Sequence, residues 1–178
     1  MGFKEKLIKV YRLFFPKEEK RKNAPGTLGH YNSKPFHNFK YALIYAGEKE
    51  IFNNEKVEIY TRTYKETIFV NVLVNDEEGF DISKHTFDNI EPLLKQNNIE
   101  KPKNTIVFVL FQHRNDNTIA MCKKFCNSNK YNFEQAVIYN PVDVQMDFYK
   151  PVPKFYKLYD HFCENLYFDL AFIDDKRE

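Results

Sequence analysis

Tryptophan is absent from this chain, glycine occurs five times in 178 residues and cysteine three times. Each scarcity excludes something. Phosphate-cradling loops need glycine where backbone must approach a ligand, and the P-loop, the Gly-rich dinucleotide turn and the Gly-x-Ser-x-Gly elbow are all missing. A His-Glu-x-x-His pair is missing too. Cys122, Cys126 and Cys163 are too few, and odd in number, for a disulfide framework, which fits a reducing cytoplasm. No stretch approaches ~18 uncharged apolar residues, so no membrane-spanning helix is expected. The N-terminus has no uncharged apolar run and no small-residue cleavage site, so no signal peptide is expected. Lys6 stands where a myristoylation signal wants Ser or Thr, so no lipid is expected either.

What is present is bulk. The chain is 43% hydrophobic, with 18 Phe and 12 Tyr, enough for one domain with a packed core. The Phe, Tyr, Asn and Lys bias reads as drift in an A+T-rich genome rather than as a stacking surface. The same aromatics suit a homodimer face.

Charge is unevenly spread. Residues 1–22 carry eight cations and three anions, net +5 in a chain of net +2, which leaves −3 for residues 23–178. A net-acidic body argues against nucleic acid as a partner. Within the basic segment Phe3, Leu7, Val10, Tyr11 and Phe14 recur at the spacing of one helix face, with Lys9 and Arg12 on the other side. Pro16 ends that helix. A cationic amphipathic helix has two possible seats: the core of the body, or an anionic membrane surface or partner groove outside it. The organisation expected is therefore a basic amphipathic helix and charged run over 1–22, a linker over 23–39 with Pro25, Gly26 and Gly29, and a single α/β domain over 40–178.

In the body, 40–46 reads as a first strand ending at Gly47, and 48–56 as polar and turn-like. Val57–Tyr64 alternates and Thr67–Val74 is β-branched, a hairpin through Lys65-Glu66. Asp76-Glu77-Glu78 sits in a loop expected to lack rigid support. A helix follows from about Lys84 to Gln96 with Ser83 as cap, unless Pro92 occupies the first turn of a helix starting later. His85 is expected to be exposed on it. Asn104–Gln112 is a continuous apolar run and the expected central strand, buried on both faces. A helix capped by Asp116 or Asn117 then runs to Cys126–Ser128. Phe133–Tyr139 and Val144–Tyr149 form a hairpin, Phe155–Leu166 a helix, and Tyr167–Ile173 an edge strand or extended tail. The fold class expected is α/β or α+β, with a single mixed sheet and helices packed on it.

Chemistry is thin. Cys122 and Cys126, one helical turn apart, present two metal ligands but lie on an apolar stripe with Ile119 and Phe125, which makes them core residues. No metal and no cofactor is expected. Glu58 lacks the Glu-x-Lys company that a metal-dependent nuclease uses. The best-placed polar run is His113-Arg114-Asn115-Asp116, just past the expected central strand, where open sheets build ligand sites. In an enzyme His113 would be the general base, Arg114 the anion clamp and Asp116 the group orienting His113.

The segments Thr105–Phe111, Ala136–Asn140 and Met146–Tyr149, in the order of elements above, resemble the soluble N-terminal domain of some bacterial rhomboid-family membrane proteins over roughly residues 55–165. The resemblance implies a nuclease-like body without nuclease chemistry. It carries over no catalytic residue, since the transmembrane protease part has no counterpart here. The expected function is a non-catalytic cytoplasmic interaction or sensing domain with a protein partner, peripheral at a membrane through its basic helix. The alternative is a small hydrolase or nuclease-like enzyme acting on an anionic substrate at the 113–116 loop.

Overall fold

The computed structural model describes residues 40, 43–44, 47–100, 103–140, 145–150 and 169–172. The amphipathic segment 1–22, the linker 23–39, Cys163 and the helix expected over 155–166 lie outside them.

The described residues build one mixed sheet, an α+β arrangement. Its strands are β1 (Lys49–Asn53), β2 (Val57–Tyr64), β3 (Thr67–Val74), β4 (Asn104–Phe111), β5 (Phe133–Asn140), β6 (Gln145–Phe148) and β7 (Asp169–Phe172), each beside the next. The β1–β2, β2–β3 and β5–β6 pairs are antiparallel, and β3–β4, β4–β5 and β6–β7 are parallel. Parallel neighbours need crossovers, and helices supply two of them. Between β3 and β4 lie a π-helical turn (Ser83–Phe87) and α1 (Ile90–Gln96); between β4 and β5 lies α2 (Asp116–Cys126).

Both crossovers pack on one face. Val70, Val72, Val74, Val107, Val109, Phe111 and Ile138 meet Ile90, Leu94, Cys122, Phe125 and Cys126 there. Tyr60, Leu73, Phe108, Leu110, Val137 and Phe148 point the other way and are buried as well. Burial on both sides is why β4 reads as an unbroken apolar run.

The expected strand over 40–46 is corrected: Lys40, Leu43 and Ile44 are helical. Gly47, at φ +82°, donates to the Ile44 carbonyl, and Glu48 N donates to Leu43 O at 3.1 Å. That is a Schellman stop, so this glycine ends a helix instead of a strand. The first strand comes later, inside the segment expected to be a turn. β1 was hidden by a bulge: Glu50 pairs with Tyr60 and Phe52 with Ile59, so Ile51 is the extra residue that breaks the alternation.

The helix expected from Lys84 is two pieces, with Pro92 in the first turn of the second, where its missing N–H is harmless. Ser83 caps neither piece; Asp81 Oδ1 accepts from Lys84 N at 2.9 Å instead. The cap of α2 is Asn115, one residue before the pair expected. Its Oδ1 accepts from Thr118 N, and Thr118 Oγ1 accepts from Asn115 N, a reciprocal capping box. Asp116 occupies the first helical turn, where a carboxylate suits the dipole.

Cys122 and Cys126 are buried free thiols in the core. Burial pushes both thiols up, Cys126 to about 12, which suppresses the reactive thiolate. Native protein is expected to label slowly at these two positions with a thiol reagent, and quickly once denatured; peptide mapping after timed alkylation checks this.

Candidate functional site

The loops after β3 and β4 emerge side by side because these strands are parallel, and they bring together residues far apart in sequence. The Glu77 carboxylate accepts hydrogen bonds from Gln112 N at 2.7 Å and His113 N at 2.9 Å. Its other oxygen lies 3.4 Å from His113 Nδ1. Gln112 Nε2 donates to Val74 O, tying the end of β4 to β3. Far from lacking support, the acidic loop is pinned: Asp76 Oδ1 accepts from Gly79 N, and Glu77 holds its neighbour's backbone.

Arg114 reaches across to β6. Its Nη1 donates to Asp147 Oδ2, and the Asp147 side chain is only 3% exposed. Asp147 pairs with Ile138 on the helix-bearing face, and its Oδ1 is buried with no hydrogen-bond partner. Cys122 feels the charges of both Glu77 and Asp147, so these groups share one neighbourhood under the loops.

The structure therefore gathers His113 and Arg114 at the edge expected of them, but with other partners. The carboxylate at His113 is Glu77, while Asp116 sits in the helix. The imidazole is 74% exposed, which suits a loop residue better than a buried base. Glu77 and Asp147 were missed by sequence reasoning. Their sequence separations from their partners exceed thirty residues, and the acidic run around Glu77 resembles any solvated loop. Replacing Glu77 with Gln keeps one acceptor oxygen but removes the charge; a loss of about 1 kcal/mol in urea unfolding is expected.

His85, expected to be exposed, is buried instead. It stacks on Phe80 with centroids 5.5 Å apart, and its Nδ1 accepts from Asp81 N at 2.9 Å. Burial, with the charges of Lys84 and Lys56, holds its pKa below the usual value, so it is a neutral structural ring.

A second polar cluster lies on the opposite face. Glu48, 6% exposed, accepts from Asn71 Nδ2 at 2.8 Å, and its Oε1 has no hydrogen-bond partner. Burial raises its pKa to about 7 against the attraction of Arg62 and the Asn71 bond. Beside it the Tyr60 hydroxyl donates to Glu58 Oε2 at 2.5 Å and lies 3.1 Å from Glu50 Oε2. Burial raises the Glu58 pKa, but bonds from Tyr60, Lys40 and Asn75 and the Lys40 charge outweigh it, so the net shift is downward. Burial and the two carboxylates push Tyr60 up and keep its proton. Among the described residues no group of three or more His, Cys, Asp or Glu side chains is placed to hold a metal ion, and no helix is long and apolar enough to cross a membrane.

No protein-family model matches the chain, and no curated protein is significantly similar to it.

Proposed function

We propose that this chain is a non-catalytic interaction or sensing domain that binds a protein partner while held at an anionic membrane surface on the cytoplasmic side by residues 1–22. One observation carries the non-catalytic part. The polar groups at the sheet edge are spent on the fold: Glu77 on two backbone N–H groups, and Arg114 on buried Asp147. A catalytic acid or anion clamp needs lone pairs and donors aimed at substrate. The charge split supports the membrane part, since a net +5 amphipathic segment precedes a net −3 body. On this reading the chain is a free-standing relative of the soluble domain of bacterial rhomboid-family proteins, a kinship proposed from strand order and the segments quoted above.

The test is sedimentation with phosphatidylserine-rich vesicles. The full chain is expected to pellet at low salt and to be released at high salt, because each cation near the surface adds about 1 kcal/mol that salt screens. Leu7→Glu and a chain starting at Asn23 are expected to stay in the supernatant with unchanged circular dichroism. Unfolding of the shortened chain would place the helix in the core and end the membrane reading. Phosphodiester cleavage that disappears in His113→Gln would replace the binding domain with the enzyme.

A further inference from the structure

A cleft of about 830 Å3 opens at the N-terminal ends of β4 and β5, away from the edge described above. One wall is α1, which contributes Ile90 and Leu94. The helix stops with Asn98 at φ +55°, Asn98 N donating to Lys95 O at 3.1 Å and Ile99 N to Leu94 O at 2.9 Å. This second Schellman stop folds Ile99 back beside Leu94 and lengthens the apolar wall.

The facing wall is Lys130-Tyr131-Asn132, and it too is fixed. Glu134 Oε1 accepts from Lys130 N at 2.5 Å and Tyr131 N at 2.8 Å. Asn132 Oδ1 accepts from Thr105 N at 2.7 Å while Asn132 N donates to Thr105 O at 3.0 Å. The Tyr131 hydroxyl donates to Thr86 O at 3.3 Å. Both walls are held by bonds that owe nothing to a ligand, the condition for a pre-formed site, and the volume lies within the ~300–1,000 Å3 of small-molecule pockets.

Charge sets the kind of occupant. Lys95, Lys103 and Lys130 line the cleft with Glu91 and Glu100. Lys103 Nζ is held by Glu66 at 2.5 Å. Lys95, in the last turn of α1, carries no such pair among the described residues, and Lys130, on the other wall, has its Nζ 5.9 Å from the centre of the Phe87 ring; both side chains are exposed and open to an anion. Glu100 on the cleft wall disfavours a polyanion, so the partner is a compact single anion rather than a nucleic acid.

We propose that this cleft binds a small amphiphilic carboxylate, its aliphatic or aryl body against Leu94, Ile99 and Tyr131 and its carboxylate between Lys95 and Lys130. The site is independent of the membrane reading, and its test uses no vesicles. Full-length 15N-labelled protein is titrated with decanoate below its micelle concentration. Saturable shifts are expected at the amides of Leu94, Ile99 and Tyr131, with a dissociation constant of about 1 mM or tighter. Decanol and the Lys95→Gln/Lys130→Gln variant are expected to bind roughly tenfold more weakly, and acetate not to saturate. Both lysines are exposed, and the same spectra report whether the variant is folded. The proposal is overturned by shifts confined to residues 1–22, by no saturation up to about 10 mM decanoate, or by equal affinity for acetate, decanol or the charge-free variant.

Discussion

Replacing Arg114 with alanine is expected to cost about 2–3 kcal/mol of folding stability. The loss arises at Asp147 rather than at Arg114. Asp147 lies on β6 beneath the helix-bearing face, almost wholly out of water, with one oxygen already lacking a partner. Its other oxygen is held by the Arg114 guanidinium. Removing one member of a buried pair leaves an uncompensated charge, which costs ~3–5 kcal/mol where both members are deep. Arg114 is 40% exposed, so water partly replaces it and the lower figure applies. Arg114→Met with Asp147→Leu removes both charges and is expected to recover most of the loss, giving a coupling of about 2 kcal/mol in a double-mutant cycle. Urea unfolding of the four proteins measures it. An arginine kept free to clamp a substrate would show almost no loss and no coupling, so the cycle also separates the binding domain from the enzyme.

That ion pair marks the boundary of what the sequence discloses. The strands β2, β3, β4 and β5 were legible because no bulge interrupts the pairing among them: Val57–Tyr64 alternates, Thr67–Val74 is rich in β-branched residues, and β4 is an apolar run buried on both faces. β1 was not, since the extra residue Ile51 shifts the period midway and the flanking Lys49, Glu50, Asn53 and Asn54 read as a turn. Gly47 was recognised as punctuation but assigned to the wrong element. The same αL residue ends strands and helices alike, and only the bonds to Leu43 and Ile44 decide between them. Asn115 was missed as a cap by one position because three candidate residues stand in a row. At the site, His113 and Arg114 could be placed from local order: they follow a central strand. Their partners Glu77 and Asp147 could not, because cross-strand pairing of distant segments leaves no local trace. His85 shows the converse error. A histidine between Lys84 and Thr86 looks solvated, yet a π-helical turn aims it at Phe80.

The same blindness hid Glu48, a carboxyl in an apparently exposed polar run that the fold buries against Asn71. The fold should grow less stable as pH rises from about 4.5 to about 7 on this residue's account. Below 4.5 the group is protonated in both states and has no effect. Between the two values the unfolded chain has released a proton that the folded chain retains, so rising pH favours unfolding. Above about 7 both states are ionised and the full penalty persists. At ~1.4 kcal/mol per pH unit, that interval corresponds to about 3 kcal/mol. Glu48→Gln removes the titration while keeping an oxygen for the Asn71 donor. Its amide hydrogens replace an oxygen that lacks a partner, and leaving them unsatisfied costs about 1–2 kcal/mol. The variant is therefore expected to be about 1–2 kcal/mol more stable than the parent at pH 8 and about 1 kcal/mol less stable at pH 4.5, with crossing stability curves. Urea midpoints at half-unit pH steps measure both. Parallel curves for the two proteins would mean that Glu48 is already ionised and matched by Arg62 in the folded chain, and that its burial does not bear on stability in this range.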